Sequence, residues 1–186
     1  MEITKIDVEL AGLSDIMFNR FYDHSREERP PEQKMYYGDG SQIIIPADYI
    51  DAFLWGFKKP GCAKSFEGKQ WQDYASWGQG HIFINPRRIP LIAEGEAIVF
   101  KEFGDKFYIY ESAGRDAKGQ KMEKTKRPTI ALPWGIKFDI TLVENPRINA
   151  DKLQNWFMQG GLRIGLGDHR PQYGRFRVTE WQPEAG

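Results

Sequence analysis

At 186 residues, 40% hydrophobic and 28% charged, the chain has the length and composition of one globular domain able to bury a core, and no apolar run approaches the roughly eighteen residues of a membrane span. Lysine plus arginine equals aspartate plus glutamate at 26 each, which excludes a uniformly basic nucleic-acid binder and confines any such binding to local patches. The single cysteine, Cys62, excludes an internal disulfide framework and a cysteine-rich zinc site; with no signal peptide in Met1-Glu2-Ile3-Thr4-Lys5, the expected location is the cytoplasm, without a membrane partner.

Residues 3–10 alternate, with Ile6, Val8 and Leu10 facing one way, and predict a first strand. Gly12 turns the chain into Ile16-Met17-Phe18-Asn19-Arg20-Phe21, where Met17, Phe18 and Phe21 are core candidates. Residues 22–40 are polar, carry Pro30-Pro31, and read as an exposed loop containing His24. Pro46 fits the first position of a helix whose stripe is Ile50, Phe53, Leu54 and Phe57, stopped by Lys58-Lys59-Pro60-Gly61. Trp71, Tyr74 and Trp77 then form a short helical cluster, and 81–85 reads as a strand. Pro86-Arg87-Arg88-Ile89-Pro90 is an extended link whose arginines either meet phosphate or are solvated. Residues 96–111 predict a hairpin closed by Gly104-Asp105, a type II′ signal. Residues 115–127 hold six basic residues against two acidic ones, the composition of a solvated tip or of a loop that orders on a nucleic-acid partner.

The stretch from Trp134 to Trp181 reads as one unit. Ile136, Phe138, Ile140 and Leu142 alternate along a strand, and a helix follows with Asn149 as N-cap, Asp151 in its first turn and Leu153, Trp156 and Phe157 on one face. The helix runs into a segment punctuated by Gly160, Gly161, Gly165, Gly167 and Gly174 and carrying Arg163, His169, Arg170 and Arg175. Glycine is used where the backbone needs φ > 0 or where another backbone comes too close for a Cβ. Interleaved with arginine, histidine and tyrosine, such a loop suits an anion and a flat ring, or else simply turns the chain while its arginines are solvated.

The order helix, Gly160-Gly161, Arg163, Gly165-x-Gly167, Arg170 and Gly174-Arg175-Phe176 entering a last strand resembles the carboxy-terminal glycine-rich signature of the RAMP superfamily of CRISPR-associated proteins. It is most similar to the backbone-forming family that lines up along guide RNA, and the turn at Gly12 with the segment 16–21 resembles the same pattern. The resemblance implies an α+β, ferredoxin-like (RRM-related) β-α-β-β-α-β core with an inserted lobe and a glycine-rich loop before the last strand. It implies a single domain over residues 1–186, with room for insertions at 22–42, 61–95 and 112–130. It also implies single-stranded guide RNA and other subunits of a ribonucleoprotein complex, or self-association, as partners. RNA-contacting candidates are Asn19, Arg20, Arg87, Arg88, Arg163, Gly165, Gly167, His169, Arg170, Gly174 and Arg175.

No metal-ligand spacing, phosphate-binding motif or nucleophile motif is present, so no cofactor, metal or catalytic residue is expected. Two alternatives stay open. One is an assembly subunit on the same fold that binds no RNA. The other is a metal-independent endoribonuclease, in which His24 or His169 takes the 2′-hydroxyl proton beside an arginine.

Overall fold

A computed structural model describes residues 2–20, 28–112, 118–120 and 124–185; Phe21 and His24 lie outside them. In chain order the elements are β1 (Ile3–Gly12), β2 (Ile16–Met17), β3 (Ile44–Pro46), α1 (Asp48–Trp55), α2 (Cys62–Phe66), α3 (Trp71–Gln79), β4 (Ile82–Asn85), β5 (Arg88–Ala93), β6 (Glu96–Ala97), β7 (Phe107–Ser112), β8 (Thr125–Ile130), β9 (Gly135–Val143), α4 (Ala150–Arg163) and β10 (Phe176–Ala185). Among the described residues, no helix is long and apolar enough to cross a membrane.

β1 lies at the centre of the main sheet because both of its edges are matched, β9 along one side and β10 along the other, each antiparallel. β4 pairs with the far side of β9 at residues 139–142, and β5 continues that edge at Gly135 and Ile136. The spatial order β10-β1-β9-β4, with the chain running β1, α1, β4, β9, α4, β10, is the ferredoxin-like arrangement. The alternation dictates which face is covered: Ile6, Val8, Leu10, Ile136, Phe138, Ile140 and Leu142 are all buried. Both principal helices pack on that face. Phe157 of α4 meets Phe138, Trp181 and Phe53 of α1 at ring-centroid distances of 5.1–6.0 Å, and Phe53 meets Phe176 at 5.3 Å. Each ring so buried contributes roughly 1.5–3 kcal/mol.

α4 begins where the sequence places it. The Lys152 amide donates to Asn149 Oδ1 at 2.9 Å. Asn149→Ala is expected to cost about 1 kcal/mol, read as a lower urea midpoint with an unchanged slope, whereas Asn149→Asp should retain nearly all the stability.

Three expectations fail. Pro46 ends β3, opposite Arg88, and α1 starts at Asp48; the Ala47 amide, donating to Arg87 O at 2.9 Å, holds the chain to its neighbour before the helix can begin. Phe57 is not on the buried stripe, because Gly56 at φ 88 ends α1 first. The 96–111 hairpin does not form. Instead β7 pairs with β8, within the segment read as a basic loop, and β8 also takes β2 to make a second, three-stranded sheet. Residues 98–100 lie along 41–43, with Ile43 N–H donating to Ile98 O at 2.8 Å and Phe100 N–H to Ser41 O at 3.0 Å. Of the segments given room as insertions, 61–95 holds α2 and α3 together with β4 and β5 of the main sheet, and 112–130 holds β8.

Candidate nucleic-acid interface

The loop between α4 and β10 is anchored by Ile164 and Leu166, both buried, and stitched to the end of β2. Leu166 N–H donates to Gly174 O at 2.9 Å, Asp168 N–H to Met17 O at 2.8 Å, and Gly174 N–H to Asp15 O at 2.7 Å. Gly165, Gly167 and Gly174 all have φ between 76° and 82°, and a Cβ at any of them would strike backbone within 3 Å. The amides of Gly165, Leu166, Asp168, Tyr173 and Gly174 are spent on protein carbonyls. Those five amides face the protein itself, and the glycines permit close packing of the loop on itself and on β2.

That packing has a consequence at residues 167–170, which form one wall of a cleft of about 490 Å³. The opposite wall is the end of α1 and the turn after it, including Trp55, Phe57, Lys58 and Lys59, with Asn19 and Tyr36 completing the lining. Phe57, Lys58 and Lys59 are exposed. The Lys59 ammonium donates to Arg170 O at 2.6 Å and so ties the two walls together. Arg20 stacks over Tyr36, its guanidinium carbon 5.1 Å from the ring centroid. A second cleft of about 400 Å³ shares Asp51, Trp55 and Gln79 and extends to Asn85 and Arg87.

The glycine loop is fixed from its other side by the hairpin of β7 and β8. Arg127 Nε donates to Asp168 Oδ2 at 2.6 Å, and Arg127 Nη1 donates to Ser112 Oγ at 2.5 Å. His169, at φ 53, sits beside Tyr110 and Tyr173, the three rings forming a triangle with 5.7 Å between each pair of centroids. Burial, with the hydrogen bond Tyr108 donates to Asp15 at 2.6 Å, pushes the Tyr108 phenol up, and burial raises Tyr173 as well. Both remain protonated donors near neutral pH, not phenolate bases. Arg127→Met should destabilise the protein by about 1–2 kcal/mol, discounted because the ion pair is partly exposed. Hydrogen exchange should speed up first in β7 and β8; unchanged exchange there would count against this ion pair as the fastening.

The predicted site residues thus fall into separate places. Asn19, Gly167, His169 and Arg170 line one cleft, with Arg20 beside it. Arg170 is only 8% exposed, donates to Gly165 O at 3.4 Å, and has its pKa lowered by burial. Arg87 is ion-paired with Asp48 and, at 3.2 Å, Asp51, whose carboxyl burial pushes up despite that pairing; Arg88 donates to Tyr37 O. Arg163 lies over the ring of Phe66 at 5.2 Å, and Arg175 is exposed at the entry to β10; neither lines either of these two clefts. Phe57, Lys58, Lys59 and Tyr36 belong to the lining and were missed. Their only sequence signal is an aromatic followed by two lysines, which also reads as a helix stop.

The sheet's other face offers a different surface. Alternation and register place Asp7, Glu9, Asp139, Glu180 and Glu184 on it, against Lys5, Lys137 and Arg177. Lys137 pairs with Glu9 at 3.0 Å and Lys5 with Asp7 at 3.7 Å, leaving an excess of carboxylate. Phe83 is the aromatic that β4 adds to this face, and among the described residues the face lacks the excess of positive charge with which an RRM-type sheet binds RNA.

No protein-family model matches the sequence, and no curated protein matches it. Among solved structures, the chain is similar to one in the cryo-EM structure of the Type III-B Cmr-beta complex bound to cognate target RNA, with a TM-score of 0.59 and 14% identity. The match covers 99% of this chain and 61% of the other, so the chain spans about three fifths of the length of that neighbour. At this identity the likeness establishes the fold alone, an α+β, ferredoxin-like architecture.

Proposed function

We propose that this chain is an RNA-binding, RAMP-like subunit of a CRISPR-type ribonucleoprotein complex that holds single-stranded RNA along the cleft between the 56–59 turn and the glycine loop. The observation that carries the reading is the convergence of Asn19, His169 and Arg170 with Phe57, Lys58 and Lys59 around that cleft. Lysines at the mouth supply attraction to phosphate, and the exposed ring of Phe57 supplies sequence-tolerant stacking. The likeness to a chain from an RNA-bound complex supports it. The test is fluorescence anisotropy of a labelled single-stranded RNA at low and moderate salt, with the same samples run on a denaturing gel. Affinity that falls steeply with salt while the RNA stays intact supports the reading; absence of binding at low salt rejects it. Cut RNA would favour the endoribonuclease and make His169 the first residue to replace.

A second reading, an assembly subunit that contacts protein neighbours and not RNA, is favoured by the acid-rich outer face of the sheet, where Phe83 is 48% exposed. Wild-type chain that fails to bind RNA but associates with protein subunits, and loses them on Phe83→Asp, would establish it.

A further inference from the structure

Phe57 is 81% exposed at the rim of the cleft. Continued helix would have put this ring on the buried stripe with Ile50, Phe53 and Leu54, where a phenyl is roughly 1.5–3 kcal/mol better off. The chain is built to prevent that. Gly56 leaves the helix at φ 88, its amide still donating to Ala52 O. Gly61 comes so close that a Cβ on it would lie 2.4 Å from Gly56 N, and Phe57 N–H donates to Lys59 O at 3.2 Å. The turn that exposes the ring is thus closely packed, and the ring is presented on a fixed support.

Two further side chains lining the cleft are primary amides, Asn19 and Gln79, and neither has a hydrogen-bond partner among the described residues. A primary amide offers a donor and an acceptor side by side, the complement of a nucleobase edge. At about 490 Å³ the cleft falls in the range of small-ligand sites, roughly 300–1,000 Å³. Lys58 follows the ring directly in sequence, is exposed and lines the same cleft, so its charge can attract the phosphates of a strand whose base stacks on the ring.

We infer that the cleft is a single-nucleobase pocket: one base of a bound strand leaves the run of its neighbours, stacks on Phe57, and turns its edge to the amides of Asn19 and Gln79. The inference rests on the RNA-binding reading and narrows it from a groove that follows the backbone to a site that holds a base. Single-stranded RNA permits this, since its unstacked bases can be splayed out onto aromatic rings.

The test uses the full chain and two labelled probes, a ten-nucleotide oligouridylate and a ribose-phosphate chain of the same length without bases, each titrated by anisotropy at one salt concentration. Wild-type protein is expected to prefer the oligouridylate. Phe57→Ala, an exposed position whose replacement spares the fold, should reduce that preference about five- to hundredfold while leaving affinity for the baseless chain unchanged. Phe57→Trp should restore it, and Asn19→Ala should weaken oligouridylate binding alone. Equal weakening of both probes by Phe57→Ala, or an unchanged preference for bases, overturns the pocket and leaves RNA binding standing. Failure of the wild type to bind either probe overturns the RNA-binding reading itself.

Discussion

Gly174→Ala should lower the urea midpoint of unfolding far below that of the wild type. The backbone at Gly174 has φ 77, and a Cβ there would lie 1.7 Å from the Leu166 carbonyl oxygen and 2.7 Å from its carbon. Both atoms are backbone, so no side-chain rotation relieves the overlap, and moving the backbone breaks the bond from Leu166 N–H to Gly174 O and that from Gly174 N–H to Asp15 O. The left-handed conformation costs about 1–2 kcal/mol for a residue with a Cβ, and the forced displacement a further 1–3 kcal/mol. Their sum, about 2–5 kcal/mol, is a large part of the roughly 5–15 kcal/mol that holds a domain of this size together. Gly95→Ala separates the two causes. Gly95 has φ 81 and nothing within 4 Å of its would-be Cβ, so only the conformational cost applies. Urea unfolding followed by far-ultraviolet circular dichroism should place Gly95→Ala a little below wild type and Gly174→Ala far below it. Coincident midpoints for the two variants would refute the packing role assigned to the loop.

What the sequence made legible is what local pattern decides. β1, β9 and α4 were readable because their alternation or helical stripe is long and because Asn149 marks a helix start without ambiguity. The 96–111 hairpin was misread because the partners of residues 98–100 lie at 41–43, far away in the chain, and no local signal announces a distant strand. β8 was hidden for a related reason. Thr125-Lys126-Arg127-Pro128-Thr129-Ile130 has the composition of a solvated loop, yet its last three residues are buried between β2 and β7, and Arg127 is consumed by Asp168. Within the site, the glycines were legible as positions of unusual backbone, but not the use made of them. Whether a glycine's amide faces a ligand or a carbonyl of its own chain depends on what packs against it, here Gly160 for Gly165 and Asp15 for Gly174. Phe57 illustrates the converse: its spacing indicated core, and the disagreement between pattern and structure is what directs attention to it.

Reversing charge one residue at a time around this loop should give three distinct results, where a generic basic surface would give one. Arg170→Glu is expected to destabilise the protein severely. It puts a carboxylate in a buried position near Asp168, removes the donor to Gly165 O, and should cost about 3–5 kcal/mol, the usual range when a buried charge loses its compensation. Its lack of RNA binding would therefore report stability, and only a thermal melt run beside the titration tells the two apart. Arg163→Glu should fold normally and bind as wild type, because the guanidinium lies over Phe66, outside the cleft, and an exposed cation–π contact contributes only about 0.5–1 kcal/mol. Lys58→Glu should also fold normally, being exposed, but should lose about tenfold in affinity for single-stranded RNA at 0.1 M salt and lower the slope of log affinity against log salt by about 1. The comparison decides where the strand runs. Lys58→Glu weakening binding while Arg163→Glu does not places RNA in the cleft beside Phe57. The reverse would place it at the carboxy-terminal end of α4 and would remove the cleft from consideration as the RNA site.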